Sequence, residues 1–241
     1  FLSENDDFAR LCEKNKINFI GPSADSMNLC GDKMRCKAAM LKAKVPTVPG
    51  SPGLVKDADE AEKIANEIGY PVMLKSVYGG GGRGIRIVNT DQELQDGYET
   101  VTAESIAAVG KSAIIVEKFL EKTRHIEYQM CRDHHGNAVH LFERECSIQR
   151  RNQKLIEQTP SPAVDEAKRE EIGELVVKAA EAVDYTNLGT AEFLRADNGE
   201  FYFIEINARL QVEHPISEMV SGLDFVKLQL DIANGEPLPF K

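Results

Sequence analysis

A chain of 241 residues, 42% hydrophobic and 28% charged, has ordinary globular composition, enough apolar surface for a sizeable core, and length for one large domain or two smaller ones. Its formal net charge of −10 excludes broad binding to nucleic acid or anionic membrane, so an anionic ligand must be met by locally gathered Lys, Arg and backbone N–H groups. Five cysteines without a C-x-x-C pair suit small buried thiols in a reducing, cytoplasmic-type compartment, and no apolar run reaches the roughly 18 residues of a spanning helix.

The chain opens on Phe1 rather than Met, directly on helix-like sequence, and reads as a segment of a longer protein. Ser3 is placed to cap a helix over residues 4–14. Ile17-Asn18-Phe19-Ile20 reads as a short strand stopped by Gly21-Pro22, and a helix follows over 32–43. Pro46, Pro49 and Pro52 with Gly50 and Gly53 make the clearest linker. A compact unit comes next: helix 58–68, strand 72–76, glycine loop 79–84, strand 85–88, helix 91–108 and strand 113–119. Thr90 with Glu93 predicts a capping box on its second helix. Beyond Leu120 the spacing predicts strands over 126–132, 138–144 and 147–149, a helix over 166–183, and strands over 189–195 and 201–208. The last two join through an Asp197-Asn198-Gly199 turn. The expected class is α+β, a small lid-like unit followed by a larger sheet.

Tyr78-Gly79-Gly80-Gly81-Gly82-Arg83-Gly84 contains G-x-G-x-x-G, but strand-like Ile85-Arg86-Ile87-Val88 follows where a dinucleotide-binding loop needs a helix, and no P-loop pattern is present. The alternatives are a flap whose backbone N–H groups approach a polyphosphate, with Lys75 just before it, and a hairpin tip without a ligand. Four consecutive glycines are entropically costly to order, which favours the flap.

Residues 203–213 alternate strictly. Glu205, Asn207, Arg209, Gln211 and Glu213 share one face as far as the strand stays extended. A plain amphipathic strand with a solvated face is the alternative, yet such a face normally carries Thr, Lys and Ser. Glu-x-Asn sets two hard oxygen ligands side by side, as Mg²⁺ requires, and Glu192 on the preceding hairpin strand offers a second carboxylate. Arg150, Arg151 and Lys154 gather cations in an acidic chain, as a solvated turn or as neutralisation for an anionic substrate. His125 and Glu127 fall on one strand face, whereas His134, His135 and His140 lie in or near a turn over 133–137. No His/Cys spacing supports zinc.

With these residues in view, the chain resembles the ATP-grasp domain of biotin carboxylase over essentially its whole length. The resemblance rests on Phe1-Leu2-Ser3-Glu4-Asn5, Gly31-Asp32-Lys33, Lys75 with the glycine loop, Glu117-Lys118-Phe119-Leu120, Arg124-His125-Ile126-Glu127, residues 145–154, and Glu205-Ile206-Asn207-Ala208-Arg209-Leu210-Gln211-Val212-Glu213-His214-Pro215. The last two are the most specific. Other ATP-grasp ligases, such as carbamoyl-phosphate synthetase, share Glu-x-Asn but not usually its continuation. A nucleotide-binding module without turnover would need no Glu213 beside Arg209.

The resemblance implies an ATP-grasp fold truncated at both ends. Residues 1–30 would end an N-terminal domain, and 31–241 would form the ATP-grasp domain, with a lid at about 48–120 and a core over 121–241. It implies ATP held by Lys33, Lys75, Gly80, Gly81, Gly82, Glu117, Lys118, Leu120, His125 and Gln149. It further implies Mg²⁺ or Mn²⁺ on Glu192, Glu205 and Asn207, and bicarbonate among Lys154, Arg209, Gln211, Val212 and Glu213. Glu213 would be the general base, with Arg209 and Lys154 as the other catalytic groups. Biotin would arrive as a carried substrate on a carrier domain or subunit. A carboxyltransferase component would use the product, in a homo-oligomeric enzyme of the cytoplasm or, in a eukaryote, the mitochondrial matrix. Asn152 stands where many members carry His, and so carries no proton-transfer role.

Overall fold

Asn5, not Ser3, starts the first helix: its side chain accepts the Phe8 N–H, and α1 runs Asp6–Lys14 after a 3-10 turn over Leu2–Glu4. The structure, a computed structural model, describes residues 1–77, 84–151 and 153–240, with Val109 described by its backbone alone. The predicted strand over residues 17–20 does not form. Ile17 and Ile20 are exposed, and the Asn18 amide donates to the Ala233 carbonyl. An extended segment becomes a strand only when a neighbour takes up its N–H and C=O groups. Two helices follow, α2 (Ala24–Gly31) and α3 (Lys33–Lys42). The first was not expected, because its Asp, Ser, Asn and Gly are weak helix formers; the Ser23 cap secures it.

The chain divides into two compact units, Val48–Lys122 and a larger one built from Phe1–Thr47 with Thr123–Lys241. The smaller contains α4 (Ala58–Ile68), β1 (Val72–Ser76), β2 (Ile85–Val88), α5 (Asp91–Val109) and β3 (Ile114–Lys118). Its three strands form an antiparallel sheet ordered β2-β1-β3. Ala61 and Ala65 of α4, Leu94 and Val101 of α5, and Val72, Leu74, Val88, Ile114 and Val116 make its core. The predicted capping box does not form, since it needs the Glu93 carboxylate on the Thr90 N–H. The Thr90 side chain caps nothing, while the Glu93 carboxylate accepts the Asn89 N–H at 2.9 Å.

The Pro/Gly stretch over 46–53 is not a free linker. Within the smaller unit, the Ser51 and Val55 N–H groups bond the Val116 and Ile114 carbonyls. A Cβ on Gly50 would stand 2.3 Å from the Val116 carbonyl oxygen, so only glycine permits this approach. Of the glycine loop, Gly80, Gly81 and Gly82 lie outside the described residues, as does Asn152.

The larger unit adds β4 (Arg124–Arg132), β5 (Ala138–Arg150), β6 (Gln153–Gln158), α6 (Glu166–Ala182), β7 (Asn187–Arg195), β8 (Phe201–Asn207), α7 (His214–Ser221) and α8 (Phe225–Ala233). Its sheet is antiparallel throughout, ordered β6-β5-β4-β7-β8. The expected α+β class therefore holds. The strands predicted over 138–144 and 147–149 are one bulged strand, β5, and the basic segment belongs largely to the β5–β6 hairpin rather than to a solvated turn.

Alternation along β4 divides the two faces. Ile126, Tyr128 and Met130 enter the main core, where Ala191, Phe193, Phe203, Ile172 and Val176 meet Met27 and Met40 of the N-terminal helices. Residues 125, 127 and 129 alternate with these and take the opposite face. Toward one end, Cys131 and Leu188 are covered by Phe225, Leu228 and Ile232 of α8. The remainder of that face is polar.

Candidate active site

Strand register lines up the charged groups of the larger unit. Arg144 of β5 stands opposite Glu127 of β4, Glu127 opposite Glu192 of β7, and Glu192 opposite Glu205 of β8. Directly opposed residues share a face. A second row reads Gln129, Thr190 and Asn207.

Carboxylates so close would repel without counter-charges, and Lys154 on β6 supplies one. Its Nζ donates to Glu127 and, at 2.9 Å, to Glu192 Oε1, and it lies 2.7 Å from Glu213 Oε1. Glu192 Oε1 also accepts Asn207 Nδ2 at 2.9 Å and Gln211 Nε2 at 3.2 Å. His125 Nε2 lies 3.1 Å from Glu192 Oε2 and 3.7 Å from Glu127 Oε2.

Burial by itself would push the Glu127 carboxyl up. His125, Arg144 and Lys154 outweigh it and bring it down to about 2. Glu192 is likewise held well below the carboxylate range, against burial, by His125 and Lys154. Burial would discharge His125, but the neighbouring carboxylates of Glu127 and Glu192 push it up to about 9. Lys154 is raised in the same manner, its burial outweighed by Glu127 and Glu192.

The predicted run of alternation stops at Asn207, where pairing with β7 ends at Thr190. Past that point no ladder bond keeps the chain extended. The chain turns, with the His214 N–H bonding the Gln211 carbonyl, and Glu213 becomes the residue before α7. Val212 is thus 88% exposed, while Gln211 and Glu213, at 5% and 6%, are buried. Gln211 and Glu213 therefore reach Lys154 and Glu192 through a turn rather than along a strand face. Arg209 does not join them, since its Nε donates to Glu4 Oε2 at 2.8 Å. Lys33 Nζ sits 3.5 Å from Glu205 Oε2. Gln149 donates to the Cys146 carbonyl at 2.9 Å.

In the smaller unit, Lys75 Nζ is 2.5 Å from Glu117 Oε2. Lys118 Nζ donates to the Gly69 and Tyr70 carbonyls at 2.9 and 2.8 Å, so its ammonium is engaged by backbone. Leu120 follows β3 in irregular, partly exposed chain.

Arg144, Gln129, Thr190 and Ser217 escaped the sequence reading, and Glu127 received no role there. The available signal was the charged run Glu143-Arg144-Glu145 inside a strand pattern, which a solvated face does not require.

Glu192, Glu205 and Asn207 offer an all-oxygen donor set on adjoining strands, which fits a hard divalent ion such as Mg²⁺ or Mn²⁺. Two other groupings of possible ligands exist among the described residues, His125 with Glu127 and Glu192, and Glu127 with Cys146 and Glu213. In the first, His125 Nε2 lies against two carboxylates, which raise its pKa and favour the protonated ring over a metal-ligating one. In the second, burial raises the Cys146 thiol far above its ordinary value.

Among known proteins, residues 32–241 match the family described as carbamoyl-phosphate synthase L chain, ATP binding domain, and residues 1–27 match the biotin carboxylase N-terminal domain. The 2-oxoglutarate carboxylase small subunit of Hydrogenobacter thermophilus is 52% identical over 240 residues, covering 100% of this chain and 51% of that protein. Biotin carboxylase of Campylobacter jejuni, solved as a β,γ-ATP complex, superposes with a TM-score of 0.91 at 48% identity, over 100% of this chain and 54% of that one. The biotin carboxylase domain dimer of the Hydrogenobacter enzyme, solved with MgADP, ADP and bicarbonate, gives 0.90 at 52% identity, over 100% and 53%. The chain spans about half the length of the curated relatives it matches.

Proposed function

The chain belongs to the biotin carboxylase family, with its ATP-grasp fold, and on that premise we propose that it carries the ATP-grasp portion of an ATP-dependent ligase that carboxylates biotin. Bicarbonate would attack the γ-phosphorus of ATP to give carboxyphosphate and ADP. Carboxyphosphate would release CO₂ and phosphate, the phosphate would take the proton of the biotin ureido N–H, and that nitrogen, on a carrier domain or subunit, would bond the CO₂ for use by a carboxyltransferase component. The observation that carries this reading is Glu213. It is a buried carboxylate 2.7 Å from Lys154, with no aligned hydrogen bond to Oε1, beside an oxygen-donor set. A module that only binds nucleotide needs no such base.

Glu213 would take the proton of bicarbonate, making its oxygen nucleophilic toward the γ-phosphorus. Lys154, Arg209, Gln211 and the backbone of Val212 would surround that anion. Glu192, Glu205 and Asn207 would hold Mg²⁺ or Mn²⁺, which when bound neutralises charge on the β- and γ-phosphates. Lys33, Lys75 and Gly80, Gly81 and Gly82 would contact phosphates. Glu117, Lys118, Leu120, His125 and Gln149 would contact the rest of the nucleotide. Arg209 would exchange its half-exposed partner Glu4 for the deprotonated ureido group of biotin; such a surface pair is worth little, so the exchange is cheap. The dimer named for the Hydrogenobacter domain supports a homodimeric assembly. The five cysteines, all free and buried, support a reducing compartment. No helix among the described residues is long and apolar enough to cross a membrane.

The full-length protein is expected to cleave ATP only with bicarbonate present, and faster with free biotin. Stimulation by neither would overturn the proposal. Glu213→Gln should bind ATP as wild type does by calorimetry and lose turnover by about 10²–10⁴-fold. Full turnover in that variant would remove Glu213 from the role of base.

A further inference from the structure

Arg144 has no exposed surface and is the bulkiest of the fully buried side chains. A guanidinium brings five N–H donors, accepts nothing and stays charged, so burying one requires an oxygen for each donor. Here all five are met. Nε donates to Glu127 Oε1 at 2.5 Å. Nη1 donates to Gln129 Oε1 at 2.8 Å and Ser217 Oγ at 3.0 Å, and Nη2 to Thr190 Oγ1 at 3.2 Å and Gln211 Oε1 at 3.1 Å. The acceptors come from β4, β7, the turn after β8, and α7.

Three of these five bonds bear directly on the site. An amide can flip end for end, but with Gln211 Oε1 taken by Arg144, Nε2 must face Glu192 Oε1. One oxygen of Glu127 is taken by Arg144, which leaves the other to Lys154. Ser217 lies on α7, one turn beyond Glu213, so the same guanidinium pins the helix that follows the proposed base. A buried charge is seldom the most stable filling for such a space, and apolar side chains of similar volume often do as well or better. Only a planar fork of donors can orient five oxygens together.

We propose that Arg144 is a positioning residue for bicarbonate: without touching substrate, it locks the Gln211 amide, the Glu127 carboxylate and the helix following Glu213 into one arrangement that sets bicarbonate affinity and turnover. The inference rests on the biotin carboxylase reading above.

The test is steady-state kinetics of full-length Arg144→Lys, with ATP affinity by calorimetry and folding by thermal unfolding. Lysine keeps the charge and loses the fork. The bicarbonate KM should rise about 10-fold or more and kcat should fall about 10²-fold, while the ATP Kd stays within about 2-fold. A merely structural role would lower kcat through a smaller active fraction and leave the bicarbonate KM unchanged; that result overturns the inference. Should Arg144→Lys fail to fold, Thr190→Val and Ser217→Ala each remove one neutral acceptor. Each should raise the bicarbonate KM by about 3–10-fold, and an unchanged KM in both overturns the inference. If wild-type protein shows no bicarbonate-dependent ATP cleavage, the functional reading itself fails and this inference falls with it. An active wild type with an unchanged Arg144→Lys defeats this inference alone.

Discussion

At the level of single residues, the site is a balance of three acidic groups, Glu127, Glu192 and Glu213, against three basic ones, His125, Arg144 and Lys154. Lys154 is the hub, because one ammonium has three donors and meets three carboxylates. Its residue type and basic surroundings made it legible in the sequence. Arg144 was marked only by the charged run Glu143-Arg144-Glu145, which does not tell a buried arginine from an ordinary surface one. Another buried charge, Asp133, lies outside this cluster. Asp133 accepts the N–H groups of His135, Asn137 and Leu238 and the Asn137 amide. Burial would raise its carboxyl, but those donors bring it from 3.8 to about 2. A carboxyl depressed on folding adds stability that is fully present above its unfolded value, near pH 4, and is lost as pH falls through about 2. The contribution is of order 2 kcal/mol. Thermal unfolding should therefore show Asp133→Asn less stable than wild type at pH 6, with the gap closing between pH 4 and pH 2. A gap that ignores pH would contradict this account.

At the level of elements, the small unit was the most legible part of the chain. Strands β1 and β2 and helix α4 have the predicted bounds, because period-2 and period-3.6 patterns with nearby caps are local signals. Helices α2, α7 and α8 and strand β6 were missed. The apparent alternation runs unbroken to Glu213, the residue before α7, and only the end of pairing at Thr190 and Asn207 reveals the turn between them. Gly50 shows the same dependence on a neighbour. Its need for glycine comes from the Val116 carbonyl, far away in sequence. Gly50→Ala should force the Pro49–Ser51 segment away from β3 and cost about 1–3 kcal/mol, read as a lower melting temperature with weaker hydrogen-exchange protection at Ser51. Unchanged protection there would show that the segment yields without cost.

At the level of the whole molecule, Val48–Lys122 is a contiguous stretch with its own sheet and its own core, inserted between two parts of the larger unit. A unit of that kind needs no contact from elsewhere to bury its apolar faces. Expressed alone, residues 48–122 are expected to unfold in one cooperative transition by circular dichroism in urea, with the low stability of a small core. A gradual, non-cooperative loss of signal would mean that the larger unit is required. The larger unit cannot be read as one stretch, because its core joins Met27 and Met40 to strands more than eighty residues later.

By itself the sequence determined the α+β class, the short local elements, the kinds of ligand atoms on offer and, through Glu205–Pro215, the family. All of these follow from periodicity and residue type along a few neighbouring positions. Tertiary structure decided which of those atoms meet. Glu213 joins Lys154 by a turn, Arg209 turns instead to Glu4, and Arg144 gathers oxygens from four places in the chain. The ionisation of His125, Glu127 and Glu192 was likewise decided by the fold. Register across antiparallel strands, and the burial of charged groups beside one another, arise only when distant segments pair, so no local pattern records them.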